Sequence, residues 1–301
     1  MSCVHASVTK PIGLTIMALA ESAGANQVSE EANIDAYFER IGFAGSIAPT
    51  LQTLELLHAL HPAAIPFENL DPLLQVPVRL ELSNLQQKLL FERRGGYCLE
   101  QNLLFKAVLE SLGFQVRGLG ARVLWGHPEG AERPVSHVLL AVDIGGATYN
   151  ADVGFGGMTL TAPLRLRPDV EQPTPHELFR LAGGPQDWRL EAQVGDEWRA
   201  LYSFDLSEKS FEEYKSINDM TSSGPTFSEN LIAARAEKGR RLALNNNRFT
   251  IYPVGGAGEP RLLGSVAELR ETLSGPFGIV LPQSDKLDAA LERVLAKGAS
   301  G

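Results

Sequence analysis

The chain has 301 residues, 44% of them hydrophobic and 21% charged, a net charge of −9 and two cysteines. That length accommodates two or three domains with a sizeable core, and the composition is that of a globular protein. The acidic balance argues against nucleic acid as the main partner, because a phosphate backbone calls for a basic face. Two cysteines cannot build a disulfide framework, and no cluster has zinc-like spacing, so no metal is expected.

Residues 1–30 stand apart and read as an N-terminal extension, expected to be disordered. Ile12 to Ala20 is an apolar run after Lys10, and Ser22-Ala23-Gly24-Ala25 faintly resembles a cleavage region. The run is too short to span a bilayer, and a secretory signal would conflict with a free thiol in a reducing compartment. Met17 is an alternative start. With no transmembrane stretch in sight, the expectation is a soluble cytoplasmic protein without a membrane partner.

From residue 31 to 115 helical periodicity dominates: Ile34-Ala36-Tyr37-Ile41, Leu51-Leu54-Leu57-Leu60, Leu85-Leu89-Leu90, then a helix beginning at Cys98. From 116 to 215 short strands with Gly, Pro and Asp turns suggest a small antiparallel barrel, with runs at Val116–Val123, 135–143, 147–153, Arg189–Val194 and Trp198–Phe204. Pro168–Pro175 reads as a loop. From 216 to 301 come a helical stretch at Leu231-Ile232-Ala233-Ala234, strands at Arg248–Pro253 and Arg261–Leu263, and an amphipathic last helix. Leu287, Leu291, Val294 and Leu295 form the stripe by which that helix docks on its own domain.

The segment Arg94-Gly95-Gly96-Tyr97-Cys98-Leu99-Glu100 carries the strongest chemical signal. Leu99, Leu103, Phe105, Val108, Leu109 and Leu112 follow at helical spacing and Gly113 is a stop, which puts Cys98 in the first turn of a helix. Unpaired N–H groups and the positive dipole end there favour a thiolate. The same cysteine also reads as an ordinary buried one. Of six histidines, His58, His61, His127 and His176 lie in polar, proline-marked or loop-like surroundings and His5 in a tail; only His137 sits inside a strong strand pattern.

Gly145-Gly146 between two strand runs is a two-residue hairpin signal. With Ile144 and Ala147 flanking the turn, Asp152 faces Leu139 across the ladder and becomes a diagonal neighbour of His137 on the same face. Diagonal pairs lie about 7 Å apart, and a loop one residue longer or shorter would send the two side chains to opposite faces. In that register Asp152 can orient the imidazole and stabilise its protonated form, the third group's part in triad logic. A hydrogen-bonded core histidine is the other reading of His137 taken alone. The run Gly154-Phe155-Gly156-Gly157 reads either as a backbone nest for an anion or as a strand-ending turn. Phe67 reads as core or as the wall of an aromatic pocket, and Glu68 and Asn69 as capping or turn residues.

The Cys98 segment, with Ile65-Pro66-Phe67-Glu68-Asn69-Leu70 upstream and Asp152-Val153-Gly154-Phe155-Gly156-Gly157 downstream, resembles the arylamine N-acetyltransferases, over a stretch from about Ile34 to Leu281. The resemblance implies an α+β fold in three parts: a helical bundle (31–115), an antiparallel β-barrel (116–215) and an α/β lid (216–301), with a triad arranged as in papain-like cysteine proteases. It implies Cys98, His137 and Asp152 as that triad. The implied reaction carries acetyl from acetyl-CoA to arylamines, aryl hydrazines or hydrazides by ping-pong chemistry, in a monomer or homodimer. Implied cofactor contacts are Val123, Ser136, Gly154, Phe155, Gly156 and Phe227; implied acceptor contacts are Phe67 and Phe155. In an acidic chain an anionic cofactor has to be held by local groups. One departure stands out: Thr221 is followed by Ser222-Ser223 where the family usually carries Thr-His-Pro, which puts a CoA contact through Ser222 in doubt. The same triad also serves transglutaminase-like or protease-like acyl transfer and hydrolysis, whereas a non-catalytic binding protein would be expected to have lost a member.

Overall fold

The computed structural model describes Met1 and residues 31–128, 130–184 and 186–298. The expected N-terminal extension, Cys3 included, lies outside the described residues. The helical part begins with α1 (Ile34–Ile41), started by the Asn33 side chain, which accepts the Ala36 N–H at 3.0 Å. Next come α2 (Leu51–Ala64), capped by Thr50, and α3 (Leu70–Leu73). A first short strand, β1 (Phe67–Glu68), lies between those two helices. α4 (Leu82–Gln86) runs on into a π turn, Gln87–Phe91, and α5 (Cys98–Ser111) completes the bundle, ending just before Gly113 at φ +85°.

Eight antiparallel strands form the second part: β2 (Gln115–Val123), β3 (Val135–Ile144), β4 (Ala147–Ala151), β5 (Leu164–Arg165), β6 (Gln172–Pro173), β7 (Leu178–Gly184), β8 (Asp187–Val194) and β9 (Glu197–Glu208). Their order is β5-β4-β3-β2-β9-β8-β7-β6. The two edges are drawn together by the Gln172 side chain, which bonds the Arg165 N–H and carbonyl, both at 2.9 Å. That sheet is therefore a nearly closed barrel, and β6 lies within the stretch expected to be loop. Along β3 the alternation is sharp: Leu139 and Ala141 face the barrel core with Phe179, Trp188 and Tyr202, while Val138, Leu140 and Val142 pack on the helices.

The third part opens with α6 (Phe211–Ser223), whose start is fixed by a reciprocal Ser210–Glu213 cap, and α7 (Pro225–Ser228). The last expected strand run, Trp198–Phe204, lies inside β9, which continues to Glu208 before α6 begins at Phe211. β10 (Ile232–Glu237), β11 (Arg240–Asn245), β12 (Arg248–Pro253) and β13 (Glu259–Leu262) follow, then α8 (Val266–Ser274) and α9 (Leu287–Gly298). β1 joins these last strands in the order β1-β10-β11-β12-β13. Leu231–Ala234 is not helical: Ile232 onward is strand β10, paired with Phe67–Glu68 on one side and Asn245–Arg240 on the other. An Ala-rich run of four has no period to read, and pairing with β1, far away in the chain, and with β11 overrides its helical propensity. The apolar stripe of α9 docks as expected, with Leu287, Leu291 and Val294 buried against α8 and the sheet.

Candidate active site

The turn before α5 is shaped by close approach. A Cβ on Gly95 would sit 2.1 Å from the Pro66 carbonyl, and one on Gly96 would meet the Glu100 side chain at 2.8 Å. With no Cβ in the way, the turn lies against β1: Gly96 N–H donates to Pro66 O and Glu68 N–H to Gly96 O, at 3.3 and 3.1 Å. Tyr97 then stands in extended conformation as the cap residue, its N–H donated to Glu100 Oε2 at 3.1 Å, and Cys98 is the first residue of α5. Tyr97 also donates its hydroxyl to Asn218 on α6.

Five charged side chains brace that turn, Lys88 half-buried and the other four buried. Arg94 bonds Glu68 Oε1 through Nε (3.0 Å) and Nη2 (2.8 Å), and reaches Asp71 Oδ1 at 2.8 Å. Lys88 bridges Asp71 at 2.6 Å and Glu100 at 2.7 Å. Burial works against both cations, but the surrounding carboxylates outweigh it and hold both above their ordinary pKa values. Burial pushes the Glu100 carboxyl up despite Lys88. Glu68, expected as a cap or turn residue, does cap α3 through the Leu70 N–H at 2.6 Å, and is also an ion-pair partner.

On the other side of Cys98 the β3–β4 hairpin has the expected register, from Ile144 opposite Ala147 to Leu140 opposite Ala151. Asp152 follows directly. His137 donates Nε2–H to Asp152 Oδ2 at 2.7 Å, which leaves Nδ1 as the free ring nitrogen, and Cys98 is one of the groups that act on the imidazole. Cys98 Sγ also lies 3.9 Å from the Ser136 carbonyl. All three side chains are nearly inaccessible, at 4%, 2% and 0% exposure. Burial alone would lower the His137 pKa; the Asp152 charge and hydrogen bond, helped by Cys98, push it up to about 10. Burial opposes the Asp152 charge in turn, and His137, Asn102 and the Gly154 N–H outweigh it, holding that carboxyl below its ordinary range.

The aromatic residues lie around this centre. Phe155 is half-buried and meets the His137 ring edge-on at 5.2 Å, with Tyr202 at 5.2 Å on another side. Phe67 is 6.1 Å from Phe227, which stands 5.5 Å from Tyr97. The glycine run departs from an open nest: Gly154 N–H donates to Asp152 Oδ1 at 2.9 Å and Phe155 N–H to Thr159 Oγ1 at 3.3 Å. Gly154 is instead needed for packing, since a Cβ there would lie 3.0 Å from the Cys98 backbone. A Cβ on Gly156, at φ +80°, would touch the Phe67 ring at 3.7 Å. Ser136 offers its carbonyl to both Cys98 and the Thr221 hydroxyl. Val123 closes β2 opposite Tyr202.

A family model described as N-acetyltransferase matches residues 50–286. An arylamine N-acetyltransferase of Escherichia coli is 42% identical over 246 residues, covering 81% of this chain and 87% of that protein. The chain belongs to the arylamine N-acetyltransferase family. Among solved structures, arylamine N-acetyltransferase from Mycobacterium tuberculosis superposes with a TM-score of 0.83 at 39% identity, covering 86% of this chain and 99% of that one. The Mycobacterium marinum arylamine N-acetyltransferase in complex with CoA superposes equally well, at 0.83 and 39%, covering 87% and 99%.

In this arylamine N-acetyltransferase fold the altered lid block falls at the end of α6. Thr221 is buried and donates to Ser136 O at 3.4 Å, Ser222 is half-buried and Ser223 exposed. Two polar residues at the centre went unread in the sequence. Asn102, one turn beyond Cys98 and so on the same helix face, donates to Asp152 Oδ1 (2.9 Å) and Val138 O (2.7 Å) and accepts the Val153 N–H. Helical spacing from Cys98 would have found it. His58, four residues after Leu54, lies on the buried face of α2, and its Nε2 accepts the Asp152 N–H at 3.0 Å. Among the described residues no group of three or more His, Cys, Asp or Glu is arranged to hold a metal, and no helix is long and apolar enough to cross a membrane.

Proposed function

We propose that the protein transfers acetyl from acetyl-CoA to arylamines, aryl hydrazines or hydrazides by a ping-pong route through an acetyl-Cys98 intermediate. The observation that carries the reading is the buried grouping of Cys98, His137 and Asp152, with the imidazole bonded to the carboxylate at 2.7 Å and its pKa, helped by Cys98, raised to about 10. In the first half the Cys98 thiolate attacks the thioester carbonyl, the C–S bond to CoA breaks, and the CoA sulfur takes the proton from His137. In the second half the amine attacks acetyl-Cys98, passes a proton to His137, and expels the Cys98 thiolate, which restores the ion pair. Unpaired N–H groups in the first turn of α5 are available to the oxyanion of each addition.

Phe67 and Phe155 favour a flat aromatic acceptor. Chemistry selects the same compounds, because aromatic amines and hydrazides keep a free lone pair at neutral pH and alkylamines do not. Val123, Ser136, Gly154, Phe155, Gly156 and Phe227 are proposed to border the cofactor, a set that does not include Ser222, where the lid block lacks the usual histidine. A free thiol nucleophile suits the reducing cytoplasm. The test is release of free CoA thiol from acetyl-CoA with and without aniline. Release that requires the amine supports acetyl transfer; release at the same rate without it would make the enzyme a hydrolase.

A further inference from the structure

Two histidines one turn apart on α2 are wholly buried, and the proposed chemistry uses neither. His61 is satisfied at both nitrogens. The Tyr37 hydroxyl donates to Nδ1 at 2.8 Å, and Nε2–H donates to Gln101 Oε1 at 2.7 Å. Gln101 in turn donates to the Pro66 and Gly96 carbonyls beside the nucleophile turn, at 2.8 and 3.1 Å.

His58 is arranged differently. Its Nε2 accepts the main-chain N–H of Asp152 at 3.0 Å, while Nδ1 has no well-formed hydrogen bond. An accepting Nε2 carries no proton, so the neutral ring is the Nδ1–H tautomer. Pro62 lies one turn on in the same helix and brings no N–H to the His58 carbonyl, and that carbonyl favours a proton on the ring beside it.

The position of this bond gives it a task. Strand pairing in the β3–β4 hairpin stops at Leu140 opposite Ala151, one residue short of the carboxylate that must meet His137. From Asp152 onward the main chain is held by side chains: His58 takes the Asp152 N–H, Thr159 donates its hydroxyl to the Asp152 carbonyl at 3.1 Å, and Asn102 takes the Val153 N–H at 3.1 Å. Of these three, only His58 titrates.

We propose that His58 is a positioning residue for the triad: its neutral imidazole fixes the main chain of Asp152, and protonation of that imidazole releases Asp152 and sets an acid limit on the enzyme. This rests on the assignment of Cys98, His137 and Asp152 as the reacting chain. The charged group facing His58 is Asp152, with His137 behind it; His61 lies one turn away on the same helix, and from α5 the ring of Phe105 meets it edge-on, its centre 5.9 Å away. Burial lowers the His58 pKa to about 4 against the pull of Asp152, so the ring is a neutral acceptor at physiological pH. Once protonated, Nε2–H confronts the Asp152 N–H, donor against donor, and the new cation competes with His137 for the carboxylate.

The test compares wild type with His58→Leu, which removes the acceptor, and His58→Gln, whose Oε1 can accept the same N–H and does not titrate. Two readouts are taken: steady-state acetyl transfer to aniline, and alkylation of Cys98 by iodoacetamide, which reports on the triad whatever the acyl acceptor is. His58→Leu is expected to lower kcat and the alkylation rate by about 10- to 100-fold with KM for acetyl-CoA little changed, the scale of a misplaced catalytic group. His58→Gln is expected to recover most of both, and to keep its reactivity to lower pH than wild type over the range where near-ultraviolet circular dichroism shows both folded. Wild-type rates in His58→Leu, or superimposable acid limbs for wild type and His58→Gln, would overturn the inference. If His58→Leu does not fold, the two acid limbs decide alone. Should no variant acetylate aniline while alkylation still follows the expected ranking, the acetyl-transfer reading fails and the positioning role stands.

Discussion

Two buried charged sites flank the first turn of α5, and they are built in opposite ways. On one side Glu68, Asp71, Lys88, Arg94 and Glu100 form a lattice in which both cations have two carboxylates each. On the other a single His137–Asp152 pair is surrounded by neutral groups: the Asn102 amide, the Gly154 N–H and the His58 imidazole. The lattice holds its cations charged far beyond neutral pH, so it suits fixing the turn that presents Cys98. The sparse site concentrates the field of one carboxylate on one imidazole, and the proposed chemistry asks that imidazole to pass a proton to and from sulfur. Rigidity and proton mobility are thus divided between two faces of the same helix end.

The sharpest way to break this division is on the reactive side. Cys98→Ala is expected to lower acetyl transfer by about 10³-fold or more, measured as amine-dependent CoA release, with a circular dichroism spectrum like that of wild type. Asp152→Asn keeps the shape and loses the charge, and a fall in kcat of about 10²- to 10⁴-fold is expected. Retention of full activity by either variant would remove the sparse site from the chemistry.

The lattice should respond in stability instead. Arg94→Met leaves Glu68 and much of Asp71 buried without their cation, a change expected to cost about 3–5 kcal/mol. Urea unfolding would show the loss, while kcat of the folded fraction stays within a small factor of wild type. A large loss of kcat without a loss of stability would mean that the two sites are not divided as described.

Acid separates them further. His137, raised to about 10 from an ordinary 6.5, stabilises the fold fully below pH 6.5, and that contribution is lost only as pH climbs through about 10. Asp152, held low, contributes above the ordinary carboxylate range and loses it only as pH falls through its lowered value. His58 and His61, which burial lowers to about 4 and about 3, act the other way: the unfolded chain takes up their protons first, so stability falls as pH drops from 6.5 toward those values. Urea midpoints should decline steadily from pH 7 to pH 4, and less steeply in His58→Gln. A flat profile would contradict the burial of both rings as neutral groups. The smallest expected effect is that of Thr221→Val, which removes a 3.4 Å bond to a carbonyl that Cys98 already faces; a change in kcat of about threefold or less is expected, on the scale of one weak hydrogen bond.

What the sequence disclosed follows the same division. The hairpin register could be counted from Gly145-Gly146, and the helix start at Cys98 followed from leucine spacing, because turn chemistry and periodicity are local signals. The lattice was less legible. Arg94 and Glu100 belong to the Cys98 segment, but their partners come from β1, α3 and the π turn, and no local pattern says which charges will be buried together. His58 stands in a proline-marked stretch of the sequence, whereas α2 runs through Pro62 and buries that face. β10 was misread because its partners, β1 and β11, decide its state and its own four residues do not.

The central claim is that acetyl rests on Cys98 between donor and acceptor. Mass spectrometry of the intact protein and its peptides, after incubation with acetyl-CoA in the absence of amine, tests it most directly. One acetyl group on the peptide containing Cys98, lost when aniline is added and matched by acetanilide formed, is the expected result. Acetanilide formation with no acetylated Cys98 at any time, or an acetyl-Cys98 that aniline does not discharge, would contradict it.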